Sequence, residues 1–198
     1  MTPTLRIVIA HAEPLMRELL RSAIGTEWTV IASCGTAAAL AKAARDDNAD
    51  LLITGVEFPD GDGLETVVAR GLEKPMPAVI VATDASKENV IKAILDHVMA
   101  YLVEPVTPDG LRAAVLLAWA RFEQWRELHE QVGDLKQALA DRKIIERAKG
   151  ILMAKERLSE GEAFARLRSE AQDRRIRLAE VAAQVAALAE RAADSNAS

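Results

Sequence analysis

The sequence predicts an α/β chain: a doubly wound, five-stranded parallel sheet, then a long helix that forms a coiled coil, then a three-helix domain. Three observations carry this. Short β-branched and aliphatic runs alternate with helical patterns through roughly the first 120 residues, the signature of successive βα units. The helical pattern that begins at Pro108 then meets no stop signal for many turns. Finally, a basic, alanine-rich C-terminal third sits on an acidic body.

The first strand, Leu5–Ala10, is apolar almost throughout, as burial on both faces of a sheet requires. Thr29–Ala32, Leu51–Thr54, Val79–Ala82 and Tyr101–Val103 share that character, and turn-forming or charged residues bound each of them. Helical segments fall between and after them, near Pro14–Ile24, Ala37–Arg45, Leu64–Arg70, Glu88–His97 and Pro108–Phe122. Five such units in succession imply right-handed crossovers and helices on both faces of the sheet. Thr107 as N-cap and Pro108 at the first helical position start the last helix.

That helix runs on. No proline follows Pro108, and beyond Gly110 the only glycine before Gly150 is Gly133. From Trp125, the apolar residues Leu128, Val132, Leu135 and Leu139 follow at spacings of 3, 4, 3 and 4, the a/d seam of a short coiled coil, until Arg142 breaks it. The stripe either packs on the chain's own body or pairs with a second copy. A long helix leaving a compact domain favours the homodimer. The helix continues to about Lys155. Ser159 with Glu162 reads as a capping box opening a second helix to about Asp173. A third spans Leu178–Arg191, with Val181, Val185 and Leu188 on one face. The boundaries expected are 1–122 for the sheet domain, 123–140 for the coiled-coil linker, 141–191 for the helical domain and 192–198 for a frayed tail.

Composition narrows the function. Of 198 residues, 50% are hydrophobic and 28% charged, ordinary globular values, and no run approaches the roughly 18 apolar residues that span a bilayer. Met1–Pro14 reads as a buried strand and its approach, not a signal peptide. The single Cys34 excludes an internal disulfide, points to a reducing cytoplasm, and reads as a small core residue. Residues 136–178 carry twelve Lys or Arg against seven Asp or Glu, a surplus of five on a chain whose net charge is −5. That asymmetry suits a polyanion-binding module, or a solvated helix face. No catalytic dyad, metal cluster or phosphate-cradling glycine loop is evident, so the expectation is a regulator and not an enzyme, without cofactor or metal.

Residues 4–122 resemble the receiver domain of two-component response regulators, a flavodoxin-like fold. The resemblance implies an acidic pair after the first strand to hold Mg²⁺, a carboxylate acceptor ending the third, a hydroxyl after the fourth and a lysine after the fifth. Most of that chemistry is missing. The acidic-pair positions fall on His11 and Ala12, leaving Glu13; the acceptor position falls on Gly55, with Phe58-Pro59 and Asp62-Gly63 fixing the register. Thr83 keeps the hydroxyl, and Glu104 replaces the lysine. Glycine offers no nucleophile, and a glutamate at the lysine position repels a phosphoryl group. Thr54, Glu57 and Asp60 are poor substitute acceptors, the last two being most simply solvated loop residues. The expectation is a receiver that does not accept phosphate and serves as a protein-binding platform.

The stretch Leu135–Arg142, followed by Ile144-Ile-Glu-Arg-Ala-Lys-Gly-Ile-Leu-Met153 and continuing through Glu162-Ala-Phe164, Leu167-Arg168, Ala171 and Val181-Ala182, is similar to the ANTAR domain of AmiR/NasR-type antiterminators. Tyr101-Leu-Val-Glu104 and Arg121-Phe-Glu123 are most similar to the nitrate-responsive members. The resemblance implies a transcription antiterminator that binds hairpins in leader mRNA, under control of a ligand-sensing regulatory protein. Candidate RNA contacts are Arg142 and Lys149, seven apart on one helix face, Gly150 beside them, and Arg168, Arg174, Arg175 and Arg177. Ala148, Ile151, Leu152, Met153, Ala163, Phe164, Leu167 and Ala171 read as core; Arg147, Arg157 and Arg166 read as solvated charges. The competing readings are phosphorylation at an unconventional site, DNA binding through a helix-turn-helix, and a scaffold that sequesters proteins without RNA.

Overall fold

The computed structural model describes residues 4–45, 48–84 and 98–196, so the helix expected at Glu88–His97 lies outside them. The chain divides into two compact units, Met1–Glu127 and Leu128–Ser198. In the first, β1 (Arg6–Ala10), α1 (Pro14–Ile24), β2 (Thr29–Cys34), α2 (Ala37–Ala44), β3 (Leu51–Gly55), a short hairpin β4 (Glu57–Phe58) and β5 (Gly61–Asp62), α3 (Gly63–Glu73), β6 (Ala78–Ala82) and β7 (Val98–Val103) follow in order. The five long strands form one parallel sheet in the order β2-β1-β3-β6-β7, the doubly wound topology the sequence predicts.

Alternation within the strands builds two cores. Ile7, Ile9, Leu51, Ile53, Val79 and Val81 face one layer, where α1 contributes Leu20 and Ile24 and the start of the long helix contributes Leu111 and Val115. Val8, Ala10, Leu52 and Ile80 face the other, covered by Leu40 of α2 and Leu64 and Val67 of α3. Each such fully buried Leu or Ile contributes roughly 1.5–3 kcal/mol. Cys34 is buried in this second core, and burial pushes its thiol pKa up, as befits an inert packing residue.

Capping fixes the helices that frame the strand ends. Asp62 accepts from the backbone N–H of Leu64 and Glu65, starting α3. Asp60 is not merely solvated: its carboxylate accepts the N–H groups of Ala37 and Ala38 at 2.7 and 3.0 Å, which lowers its pKa and tethers α2 to the β3–α3 loop. Gly63 is obligatory here, because a Cβ would collide with the Gly55 carbonyl oxygen and the Phe58 ring.

The long helix α4 (Pro108–Glu156) enters the second unit, where α5 (Glu160–Arg174) and α6 (Leu178–Asn196) complete a three-helix core. The sequence signals for this last helix end near Arg191; the backbone is helical to Asn196. Ala148 and Leu152 of α4, Ala163, Leu167 and Ala171 of α5, and Val181 and Ala182 of α6 are buried together. The alanines let the helix axes approach closely, while Leu167 fills the centre. Ser159 and Glu162 form the expected capping box. Met153 and Phe164, expected in the core, are instead exposed. Each is one residue past a core position, Leu152 and Ala163, and one residue turns a helix about 100° away.

Candidate functional site

The strand ends of the receiver-like unit form a small cavity of about 180 Å³, lined by residues from the loops after β1, β3, β6 and β7. His11, Ala12, Glu13, Thr83 and Glu104 all line it, and Gly55 ends β3 beside it. The structure thus brings together the positions that the sequence assigned to a vanished phosphorylation site. His11 packs directly against Gly55: a Cβ on Gly55 would lie 2.7 Å from His11 Cδ2. The imidazole is hydrogen-bonded at one nitrogen, and Glu104 Oε1 is buried without a hydrogen-bond partner among the described residues. Nδ1 accepts from the Glu13 N–H at 3.1 Å, which directs Nε2 toward Glu104 Oε1 at 3.6 Å. Arg17 donates to the carbonyls of His11 and Ala12 at 2.7 and 2.9 Å and fixes the loop from outside. Thr54 is buried and spends its hydroxyl on the Gly55 carbonyl. The described residues contain no cluster of three or more His, Cys, Asp or Glu side chains that could hold a metal ion.

On the linker, Trp125 stacks on Phe122 at 5.6 Å within the first unit and is half-buried. Leu128, Val132, Leu135 and Leu139 stand exposed, Leu135 by 70%, so the chain itself does not bury this stripe.

In the C-terminal unit the candidate RNA contacts separate into two groups. Lys149 is not an open cation. It is only 8% exposed, and its ammonium donates to both oxygens of Glu146 at 3.0 and 2.9 Å and to Glu160 at 2.6 Å. Hydrogen bonds from Glu160 and then Glu146 raise its pKa, and the same contact lowers that of Glu160. It ties α4 to the first turn of α5. Arg142, on nearly the same helix face, is exposed, so the shared face expected from their spacing ends at the core's edge. Arg174 donates to Glu170 and Gln184, and Arg177 pairs with Glu180 at 3.2 Å and Asp141 at 3.7 Å. Arg142, Arg168 and Arg175 are exposed and have no side-chain partner among the described residues. Gly150 is also exposed, with nothing within 4 Å of where its Cβ would be, so it leaves a bare patch of helix surface.

Four further cations belong with the open group: Lys136, Lys143, Lys155 and Arg157 are exposed and have no side-chain partner among the described residues. For Lys155 the signal was in the sequence, since no acidic residue lies three or four positions away on its helix. For Lys143 it was not: Glu146 lies at i+3 but is taken by Lys149.

Comparison with known proteins fits this division. Residues 133–185 match the ANTAR domain family and residues 7–116 match the response regulator receiver domain family. The chain is 31% identical over 178 residues to the transcriptional regulatory protein PdtaR of Mycobacterium tuberculosis, covering 89% of this chain and 87% of that one. It belongs to the ANTAR response regulators. Among solved structures, a CheY-like receiver domain from Methanospirillum hungatei JF-1 has a TM-score of 0.57 at 21% identity, covering 62% of this chain and 98% of its own. The receiver domain of AraT from Geobacillus stearothermophilus has 0.56 at 23%, covering 63% and 99%. At such identities these two matches speak to fold alone. In this ANTAR response regulator the exposed Arg142, Arg168 and Arg175, with no side-chain partner among the described residues, lie in the ANTAR half.

Proposed function

We propose that this ANTAR response regulator is a cytoplasmic transcription antiterminator that binds hairpins in leader mRNA as a homodimer. The observation that carries the reading is the trio Arg142, Arg168 and Arg175, exposed and unpaired on a three-helix unit of the ANTAR family. Guanidinium groups free of carboxylates can grip phosphates bidentately and stack on unpaired loop bases. Lys149 takes the role of a brace that holds α5 against α4, and Gly150 gives a backbone phosphate unobstructed access beside it. The exposed Leu128–Val132–Leu135–Leu139 stripe is the dimer seam, joining two ANTAR units for two hairpins. Breaking it by L128E/L135E should leave a monomer in sedimentation analysis.

The receiver is a pseudo-receiver. His11 fills the acceptor space, Gly55 has no nucleophile, and Glu104 stands where a cation would be needed. Control therefore comes through a ligand-sensing partner protein, in the manner of the nitrate-responsive AmiR/NasR-type subfamily. The direct test is binding to a paired-hairpin leader RNA titrated across salt, with duplex DNA as competitor. Tight binding with a steep salt slope that DNA does not displace is the expected result. Equal displacement by DNA would overturn it.

A further inference from the structure

The three helices of the ANTAR unit do not close evenly. Between α4, α5 and α6 lies a groove of about 340 Å³, in which Arg174 is the one lining residue among the candidate RNA contacts. Its aliphatic surface comes from Ile151 and Leu152 of α4 and from Val185 and Leu188 of α6. Leu152 and Val185 belong to the core edge, whereas Leu188 is 64% exposed, a large apolar side chain left in water at the mouth of the groove.

The walls are polar in a particular way. Lys155 lies one turn beyond Ile151 on α4, and Gln184 one turn before Leu188 on α6, so each wall offers an aliphatic and a polar side chain on one face. Gln184 accepts from Arg174 through Oε1 at 2.7 Å, which leaves its amide N–H groups without a partner among the described residues. Lys155 has none either. The remaining charges are tied to each other: Arg174 to Glu170 at 2.9 Å, and Arg166 more loosely to Glu156 at 3.8 Å. The rim therefore has a surplus of one positive charge, from three cations against two carboxylates.

Flat aliphatic walls, one free amide donor and one free ammonium match one kind of occupant. We infer that this groove receives a single unstacked nucleobase from the loop of a bound RNA, with Leu188 and Ile151 against its faces, Gln184 on its edge and Lys155 on its phosphate. An apolar protein helix would satisfy the leucine but leave Lys155 facing aliphatic side chains. The inference rests on the RNA-binding reading and assigns a base-specific seat to a unit whose exposed arginines otherwise offer general contacts to the phosphate backbone.

The test uses the full-length chain, a paired-hairpin RNA, and a set of the same RNA with abasic sites placed at each loop position in turn. Wild type should lose roughly tenfold in affinity at one loop position and little at the others, in the range of a base stacked on a protein surface. Leu188→Trp fills the groove from an exposed position and should keep the melting temperature. It should bind intact RNA about tenfold more weakly, and the sensitive abasic position should cost it nothing further. Gln184→Ala should lose a smaller factor at that same position. If wild type binds no RNA, the RNA-binding reading fails first. If it binds tightly, but L188W binds equally well or every abasic site costs both proteins alike, the base seat is wrong while RNA binding stands. A change in oligomeric mass for L188W with unchanged RNA affinity would also overturn it, marking the groove as a protein contact.

Discussion

The two units treat charge in opposite ways. At the receiver strand ends, the polar side chains face one another: His11 toward Glu104, Arg17 on two carbonyls, Thr54 on the Gly55 carbonyl. In the ANTAR unit, Arg142, Arg168, Arg175, Lys143 and Lys155 face solvent without partners. At the strand ends His11, Arg17 and Thr54 bond within the receiver while Glu104 Oε1 stays buried without a hydrogen bond, whereas the unpaired surface cations are open to an anion from outside. Inside the ANTAR unit the contrast recurs on one helix. Lys149 is bonded to two glutamates, while Lys155, a turn and a half further on, is bonded to none.

The largest expected effect is all or none. Gly55→Asp alone should take up no phosphoryl group from acetyl phosphate and Mg²⁺, because the His11 ring fills the space beside it and Glu104 remains. H11D/A12D/G55D/E104K should approach about one phosphoryl per chain by mass spectrometry. Labelling of the single variant would show that His11 yields and that the receiver is closer to competence than its packing implies.

Next in size, removing the open cations together, as R142A/R168A/R175A, should weaken hairpin binding roughly 100- to 1000-fold at low salt. The slope of log K against log salt should become shallower by about two to three, with the melting temperature unchanged. The paired residues make the control: R177A should cost far less affinity. Comparable losses in both would erase the distinction between open and closed cations.

Lys149 should behave as a brace. Lys149→Ala leaves Glu146 and Glu160 without their cation and should lower the melting temperature, while Lys149→Met keeps the stem and should recover part of it. Glu160 has its pKa depressed by Lys149, so its contribution is complete above the unfolded value of about 4.3 and disappears as pH falls through the lowered folded value. Wild type should therefore lose stability below about pH 4 in a component that Lys149→Met lacks. Identical acid profiles for the two proteins would count against the brace.

The smallest effect concerns a backbone position. Arg175 ends α5 with φ 54°, left-handed backbone that glycine adopts without strain. Arg175→Gly should stabilise the chain by about 1 kcal/mol while weakening RNA binding several-fold. Tighter or unchanged RNA binding would show that the arginine is there for no contact.

Much of this was legible in the chain itself. The sheet followed from apolar runs such as Leu51–Thr54, because burial on both faces leaves no room for polar alternation. The capping box at Ser159 and the end of the first core helix near Glu156 followed from local chemistry. Two of the three open arginines had a local signature: Arg168 and Arg175 have no acidic residue three or four positions away, whereas Arg174 has Glu170 and Arg177 has Glu180; Arg142 has Glu146 at i+4, which Lys149 takes instead.

What the sequence by itself determined was the five sheet strands, most of the helices between and after them, their order, and the glycine that ends β3 at position 55, since periodicity, capping and residue identity are local properties. Tertiary structure alone decided where the charges ended up. Glu160 reaches Lys149 across eleven residues, Asp60 reaches the start of α2 across twenty-three, and His11 meets Glu104 from the far end of the sheet. Such partners come from packing between distant segments, and no local pattern encodes which carboxylate a given cation will meet. For the same reason Met153 and Phe164 read as core yet lie outside it: one residue of rotation on a helix separates a buried position from an exposed one, and only the neighbouring helices fix which is which.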